Sequence, residues 1–326
     1  MGETSNVSLM ANKISSEIFN AFGWKQEPLR DEQIECLKPD DHKTKTHPSD
    51  VVFWYEDPYR ECRVYVNTDL KSYSRESIKP HQIRKALRSL GVTVDCANNS
   101  KQYRDKYVHT KDFFDVVGLL FLFNHDGGFD ENFDDTISSI NPASLLVPTG
   151  RQIYLLGPDR IGALASVASD ILRLRGAKTI PAADHCHFYY PNTVLERTRQ
   201  INAQSASLET ILGPWIPFCY DTTISGIPAI NHILYYFGEG SSAEEFKYII
   251  DYLFRSQSHS DYNNIVIKTT KADKRAPVFL NKAKEQYATD FFGLTEFIQR
   301  LERITIESVT RTVPGYNDVE IGMRDS

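Results

Sequence analysis

Pro48-Ser49-Asp50-Val51-Val52-Phe53-Trp54-Tyr55 places a carboxylate directly before five β-formers in a row. Arg63-Val64-Tyr65-Val66-Asn67-Thr68-Asp69-Leu70-Lys71 repeats the apolar signal and ends on a carboxylate and an ammonium two residues apart. Between them, Glu56-Asp57-Pro58-Tyr59-Arg60 has the composition of a hairpin loop. The two runs therefore pair as antiparallel neighbours. Folding the hairpin about Pro58 sets Asp50 opposite the Asn67 region, with one or two residues of slack for a bulge. Asp50 and Asp69 then share one end of adjacent strands. Side chains alternate along a strand, so Asp69 and Lys71 project from one face and Leu70 from the other. Such a strand end can hold one divalent cation beside an ammonium.

The segments around this hairpin follow a readable order. Upstream, residues 11–24 form a helical pattern with Ile14, Ile18, Ala21 and Phe22 on one stripe, Glu17 at its border and Gly23 as a stop. Downstream, residues 77–90 carry Ile83, Ala86, Leu87 and Leu90 on one helical face, and His81, Arg84, Lys85 and Arg88 on another. Residues 115–123 are almost continuously apolar, as in a central strand buried on both sides.

This order resembles the PD-(D/E)xK nuclease superfamily, with Pro48-Ser49-Asp50 as the first half-motif and Asp69-Leu70-Lys71 as the second. Ser49 is an insertion, and Asp69 stands where glutamate is common. The resemblance implies a restriction-endonuclease-like αβββαβ core. It also implies a Mg2+ or Mn2+ ion held by Asp50, Asp69, the Leu70 carbonyl and Glu17, with Lys71 beside the scissile phosphate. The expected activity is hydrolysis of DNA phosphodiesters. Nucleases of this superfamily with an unfamiliar appended domain resemble subunits of bacterial antiphage defence complexes.

Composition narrows the remaining classes. Hydrophobic residues make up 41% of the 326, enough for real cores in two domains. Cys36, Cys62, Cys96, Cys186 and Cys219 are odd in number, widely spaced and without a C-x-x-C pair, which argues against a disulfide framework or a zinc knuckle. No signal pattern or membrane-length apolar run is present, so a cytoplasmic protein is expected. The formal net charge of −6 disfavours gripping a polyanion over the whole surface. Phosphate contact is thus expected locally, at His81, Arg84, Lys85 and Arg88, where Lys79, Lys101, Arg104 and Lys106 add charge and Tyr73, Tyr103 and Tyr107 add aromatic rings. A protein partner or a second copy of the chain would supply the rest.

Three segments complete the expected layout: a nuclease domain over 1–127, a Gly- and Asp-rich linker over 128–149, and an α/β partner-binding or regulatory domain over 150–326. Strands are expected at 152–156, 187–190, 233–237 and 264–269, and helices at 161–174, 207–212, 243–254 and 294–304. The tail from 314 reads as frayed. Two rival functions stand beside the nuclease reading. In one, the nuclease fold is a catalytically silent structural or DNA-binding subunit. In the other, the second domain is the enzyme, using the turn at Gly157 or a metal held by His185 and His187.

Overall fold

Apolar strands buried on both faces fix the centre of the first sheet. In the computed structural model, which describes residues 2–110, 113–191, 202–224, 226–255, 262–290, 295–316 and 321–325, these are β2 (Thr46–Asp57), β3 (Cys62–Tyr73) and β4 (Phe114–Asn124). The sheet order is β1-β2-β3-β4-β5, with β1 (Lys25–Glu35) and β5 (Ile153–Leu156) at its edges. The first three strands form an antiparallel meander; β4 runs parallel to β3, and β5 parallel to β4. Before the meander comes α1 (Gly2–Ala21), and the β3–β4 crossover carries α3 (Pro80–Asn99) and α4 (Lys101–Tyr107). The expected αβββαβ order is therefore present.

The two faces of this sheet are packed by different helices. Phe19 of α1 lies edge-on to Phe53 and Phe121, with centroids 4.9 and 5.9 Å away. On the opposite face, Ile83, Leu87, Leu90 and Val94 of α3 join Leu120 and Leu122 in one apolar cluster. Gly118 makes this approach possible, because a Cβ there would stand 2.8 Å from side-chain carbons of both Leu90 and Val94. Helix α3 starts with Pro80 in its first turn, and α4 is capped by Ser100, whose hydroxyl accepts from the Tyr103 N–H.

Several elements differ from the sequence reading. Helix α1 starts at Gly2, well before the expected residue 11, and ends at Ala21 with the expected stop, Gly23, at φ 79°. Strand β1 went unread because it is a polar edge strand containing Pro28, with a register shift between Gln26 and Arg30. Segment 128–149, expected as a linker, carries α5 (Phe133–Ser138) and a short 3-10 turn. Its Phe129, Phe133, Ile137, Ile140 and Leu145 pack on the α3 cluster. Strand β5, expected in the second domain, pairs with β4. The tail expected to fray contains a hairpin of β12 (Thr312–Tyr316) and β13 (Ile321–Asp325), which contacts α1.

Two compact units result: residues 1–165 with 312–326, and residues 166–311. The second contains a six-stranded sheet of order β11-β10-β9-β8-β6-β7, formed by β6 (Cys186–Tyr189), β7 (Asn202–Ala203), β8 (Trp215–Ile224), β9 (Ile227–Tyr236), β10 (Tyr262–Thr269) and β11 (Ile304–Ser308). The short helix α7 (Leu208–Leu212) leads into β8. The β9-β10-β11 part is parallel, with α8 (Ala243–Arg255) in the first crossover, and α9 (Ala276–Asp290) and α10 (Thr295–Glu302) in the second. Phe246, Ile249, Ile250 and Leu253 of α8 cover Leu234, Ile265 and Ile267. Asp170 on α6 (Pro158–Gly176) is 1% exposed and held by Lys268 at 3.0 Å, Arg173 at 2.6 Å and the Tyr235 hydroxyl at 2.9 Å. A buried carboxylate with this many donors is a structural anchor.

Candidate active site

The β2–β3 ladder runs without a register shift from Asp57↔Cys62 to Val51↔Thr68, so the next residues, Asp50 and Asp69, come abreast. The turn is centred beyond Pro58: the Asp57 carboxylate accepts from the Tyr59 and Arg60 N–H groups, and Glu61 takes φ 54°. This shift replaces the expected Asn67 with Asp69 opposite Asp50 and needs no bulge between β2 and β3.

Past the end of the ladder, the Leu70 N–H donates to Asp50 Oδ2 at 2.9 Å. The N–H and C=O of one strand residue face the same side, so the Leu70 carbonyl also faces Asp50. Lys71 Nζ donates to Asp69 Oδ1. Ser49 is fully buried, and its hydroxyl donates to Asn67 Oδ1 at 2.6 Å. The apparent insertion in the half-motif thus ties the start of the apolar run to β3, a role that residue type alone does not signal.

Two carboxylates face one ammonium here. Burial and the adjacent Asp69 push the Asp50 carboxyl up to about 6, outweighing the opposing effects of the Leu70 amide and Lys71. For Lys71, burial works against the charged form, but Asp69 and Asp50 outweigh it and raise its pKa above the ordinary lysine value. Lys71 is accordingly an ammonium at neutral pH. The residual negative charge and the oxygen-only donor set fit a hard divalent cation.

Other expected site residues fall elsewhere. Asn67, Asp69 and Lys71 pair with Gly118, Leu120 and Leu122, on the sheet face covered by α3. Glu17 lies on α1, which packs the other face, and its carboxylate meets Lys13 at 3.8 Å. The structure does not bring Glu17 to the aspartate pair. His81, Arg84, Lys85 and Arg88 are all exposed along α3. Tyr103 and Tyr107, expected among the phosphate-contacting residues, are 0% exposed and pack with Ile34, Val52 and Tyr65. Lys106 pairs with Glu32, and Arg104 lies over the Phe114 ring. In the second unit, His185 is exposed beside Asp221 at 3.4 Å, whereas His187 is buried on β6. A short 3-10 turn ending at His185 breaks the alternation that would have put them on one face.

A meander with aspartates abreast just past the ladder of its second and third strands, a lysine two residues on and a parallel fourth strand is the layout of a nuclease of the restriction-endonuclease-like class. Residues 1–160 match the family described as the GAPS4 protein PD-(D/E)XK nuclease domain, in agreement with the superfamily that the sequence resembles. No curated protein and no solved structure matches the chain.

Proposed function

We propose that the protein is a metal-dependent deoxyribonuclease that acts within a multi-protein antiphage defence assembly in the cytoplasm. The observation that carries the catalytic part is the meeting of Asp50, Asp69, Lys71 and the Leu70 backbone just past the end of the β2–β3 ladder. Asp50, Asp69 and the Leu70 carbonyl would hold Mg2+ or Mn2+. When bound, that ion supplies Lewis acidity and lowers the pKa of coordinated water. Lys71 donates to the scissile phosphate or the attacking water and offsets charge developing on the phosphoryl oxygens. Ser49 and Asn67 keep the start of β2 in line with β3, so the two carboxylates are positioned before substrate arrives. The exposed basic face of α3 contacts the DNA backbone through Arg84 and Arg88, with His81 and Lys85 beside them. With a net charge of −6, the chain leaves much of the DNA channel to a partner, bound through residues 166–311.

The test is cleavage of supercoiled DNA, linear DNA and RNA by the purified protein, alone and with its neighbouring gene product, in Mg2+, Mn2+ or EDTA. Metal-dependent cutting of DNA that disappears in Asp69→Asn is the expected result. RNA cutting would reassign the substrate. A folded, DNA-binding protein that cuts nothing under any of these conditions would leave the silent-subunit reading in its place.

A further inference from the structure

We propose that Cys36, His42, His47 and Cys96 form a structural zinc site, separate from the aspartate pair. The four donors come from distant places in the first unit. Cys36 follows β1, and its N–H donates to the Lys45 carbonyl at 2.9 Å, closing the loop to β2. His42 ends the one-turn helix α2 (Pro39–His42) within that loop, His47 lies near the start of β2, and Cys96 is near the end of α3.

The spacing is that of a tetrahedral metal shell. All four donor atoms lie within 4.8 Å of one another. The two Sγ atoms are 3.9 Å apart, and His42 Nδ1 is 3.2 Å from Cys36 Sγ and 3.5 Å from Cys96 Sγ. Zinc bonds of about 2.3 Å to sulfur and about 2.0 Å to nitrogen, arranged tetrahedrally, put sulfurs about 3.8 Å apart and sulfur about 3.5 Å from nitrogen. Beyond this spacing, His47 is 2% exposed, and its Nε2 is buried with no hydrogen-bond partner. A buried imidazole nitrogen without a partner is costly, and a metal bond satisfies it. The Leu37 N–H also donates to Cys96 Sγ at 3.4 Å, fixing the sulfur beside the other donors. Two sulfurs and two nitrogens select zinc over Mg2+ or Mn2+, which prefer oxygen.

Such an ion would clamp the β1–β2 connection onto α3. His47 stands three residues before Asp50, so the clamp fixes the start of the strand that carries the first aspartate.

Full-length protein expressed with zinc is expected to carry one zinc per chain after exhaustive dialysis against Mg2+ buffer. Asp50→Ala combined with Asp69→Ala should retain that zinc; Cys36→Ser combined with Cys96→Ser should lose it. Replacement with Co2+ in the wild-type chain should give thiolate-to-cobalt charge transfer and the intense visible bands of tetrahedral cobalt, a readout that does not depend on the double variant folding. Trace zinc only, a cobalt protein without the thiolate band, or a Cys36–Cys96 disulfide in mass spectra of protein alkylated without reductant would each overturn the site. Zinc lost with the aspartates and kept without the cysteines would do the same.

Discussion

The Asp50 carboxylate accepts from the backbone N–H of Leu70, twenty residues further along the chain, at 2.9 Å and just beyond the last paired residues of β2 and β3. One amide offsets only part of what burial and Asp69 do to this carboxyl, which is raised from 3.8 to about 6. Between those values the folded protein keeps a proton that the unfolded chain has released. In EDTA, therefore, the contribution of Asp50 to stability falls as pH rises from about 4 through about 6. Thermal melts across that range should show the stability difference between the wild type and Asp50→Asn shifting against the wild type as pH rises, whatever slope His232 and the other titrating groups give both proteins.

A cation at the pair competes with that same proton. Its apparent affinity should climb by up to about tenfold per pH unit below pH 6 and level off above it. Titration calorimetry with Mn2+ in two buffers of different ionisation enthalpy reads both the affinity and the proton released. A proton count of zero at pH 5 would separate Asp50 from metal binding.

Lys71→Met removes the ammonium that faces the two carboxylates. Cleavage should fall by about 100-fold or more, the usual cost of losing a preorganised donor at a developing charge. Circular dichroism should be unchanged, since the Lys71 side chain is 34% exposed. Full activity in the folded variant would exclude a catalytic role for this residue.

Arg84→Glu with Arg88→Glu changes only exposed positions on α3. Binding to non-cleaved DNA in Ca2+ should weaken, and the slope of log affinity against log salt should decrease by about one unit for each phosphate that is no longer neutralised. An unchanged slope would return this face to plain solvent exposure.

Gly118→Ala tests how α3 is seated on the sheet. The added methyl would meet Leu90 and Val94 at 2.8 Å and Ile153 at 3.0 Å, so either the helix shifts or the strand does. Overpacking of this kind costs about 1–3 kcal/mol, readable as a lower urea midpoint.

How much of the fold was legible beforehand follows the chemistry of each element. Strands β2, β3 and β4 announced themselves because burial on both faces demands runs such as 51–55 and 115–123. The Asp69-Leu70-Lys71 alternation followed from period two alone. Strand β1 was hidden because an exposed edge needs no apolar pattern, and β8, which contains Pro217, was hidden by a residue that usually argues against a strand. Tyr103 and Tyr107 read as surface residues beside Arg104 and Lys106, yet their helix turns the rings inward while the charges stay out. The Cys36, His42, His47 and Cys96 group escaped because its donors are scattered over separate elements, with about fifty residues between the last two and no paired cysteines to mark it. Period and composition report a residue's immediate surroundings; they carry no signal for side chains that meet only through the fold.

The hairpin of β12 and β13 belongs to the same unit as α1, although residues 166–311 form the other unit between them in the chain. On a ribosome, then, the nuclease sheet is complete once β5 has emerged, and α1 must wait until the whole of residues 166–311 has been made before its hairpin neighbour exists. A message broken between β5 and β12 would still yield the paired aspartates, but on an unfinished unit. A stretch translated late thus bears directly on a helix made early, and completion of the nuclease unit is deferred until its neighbour has been synthesised.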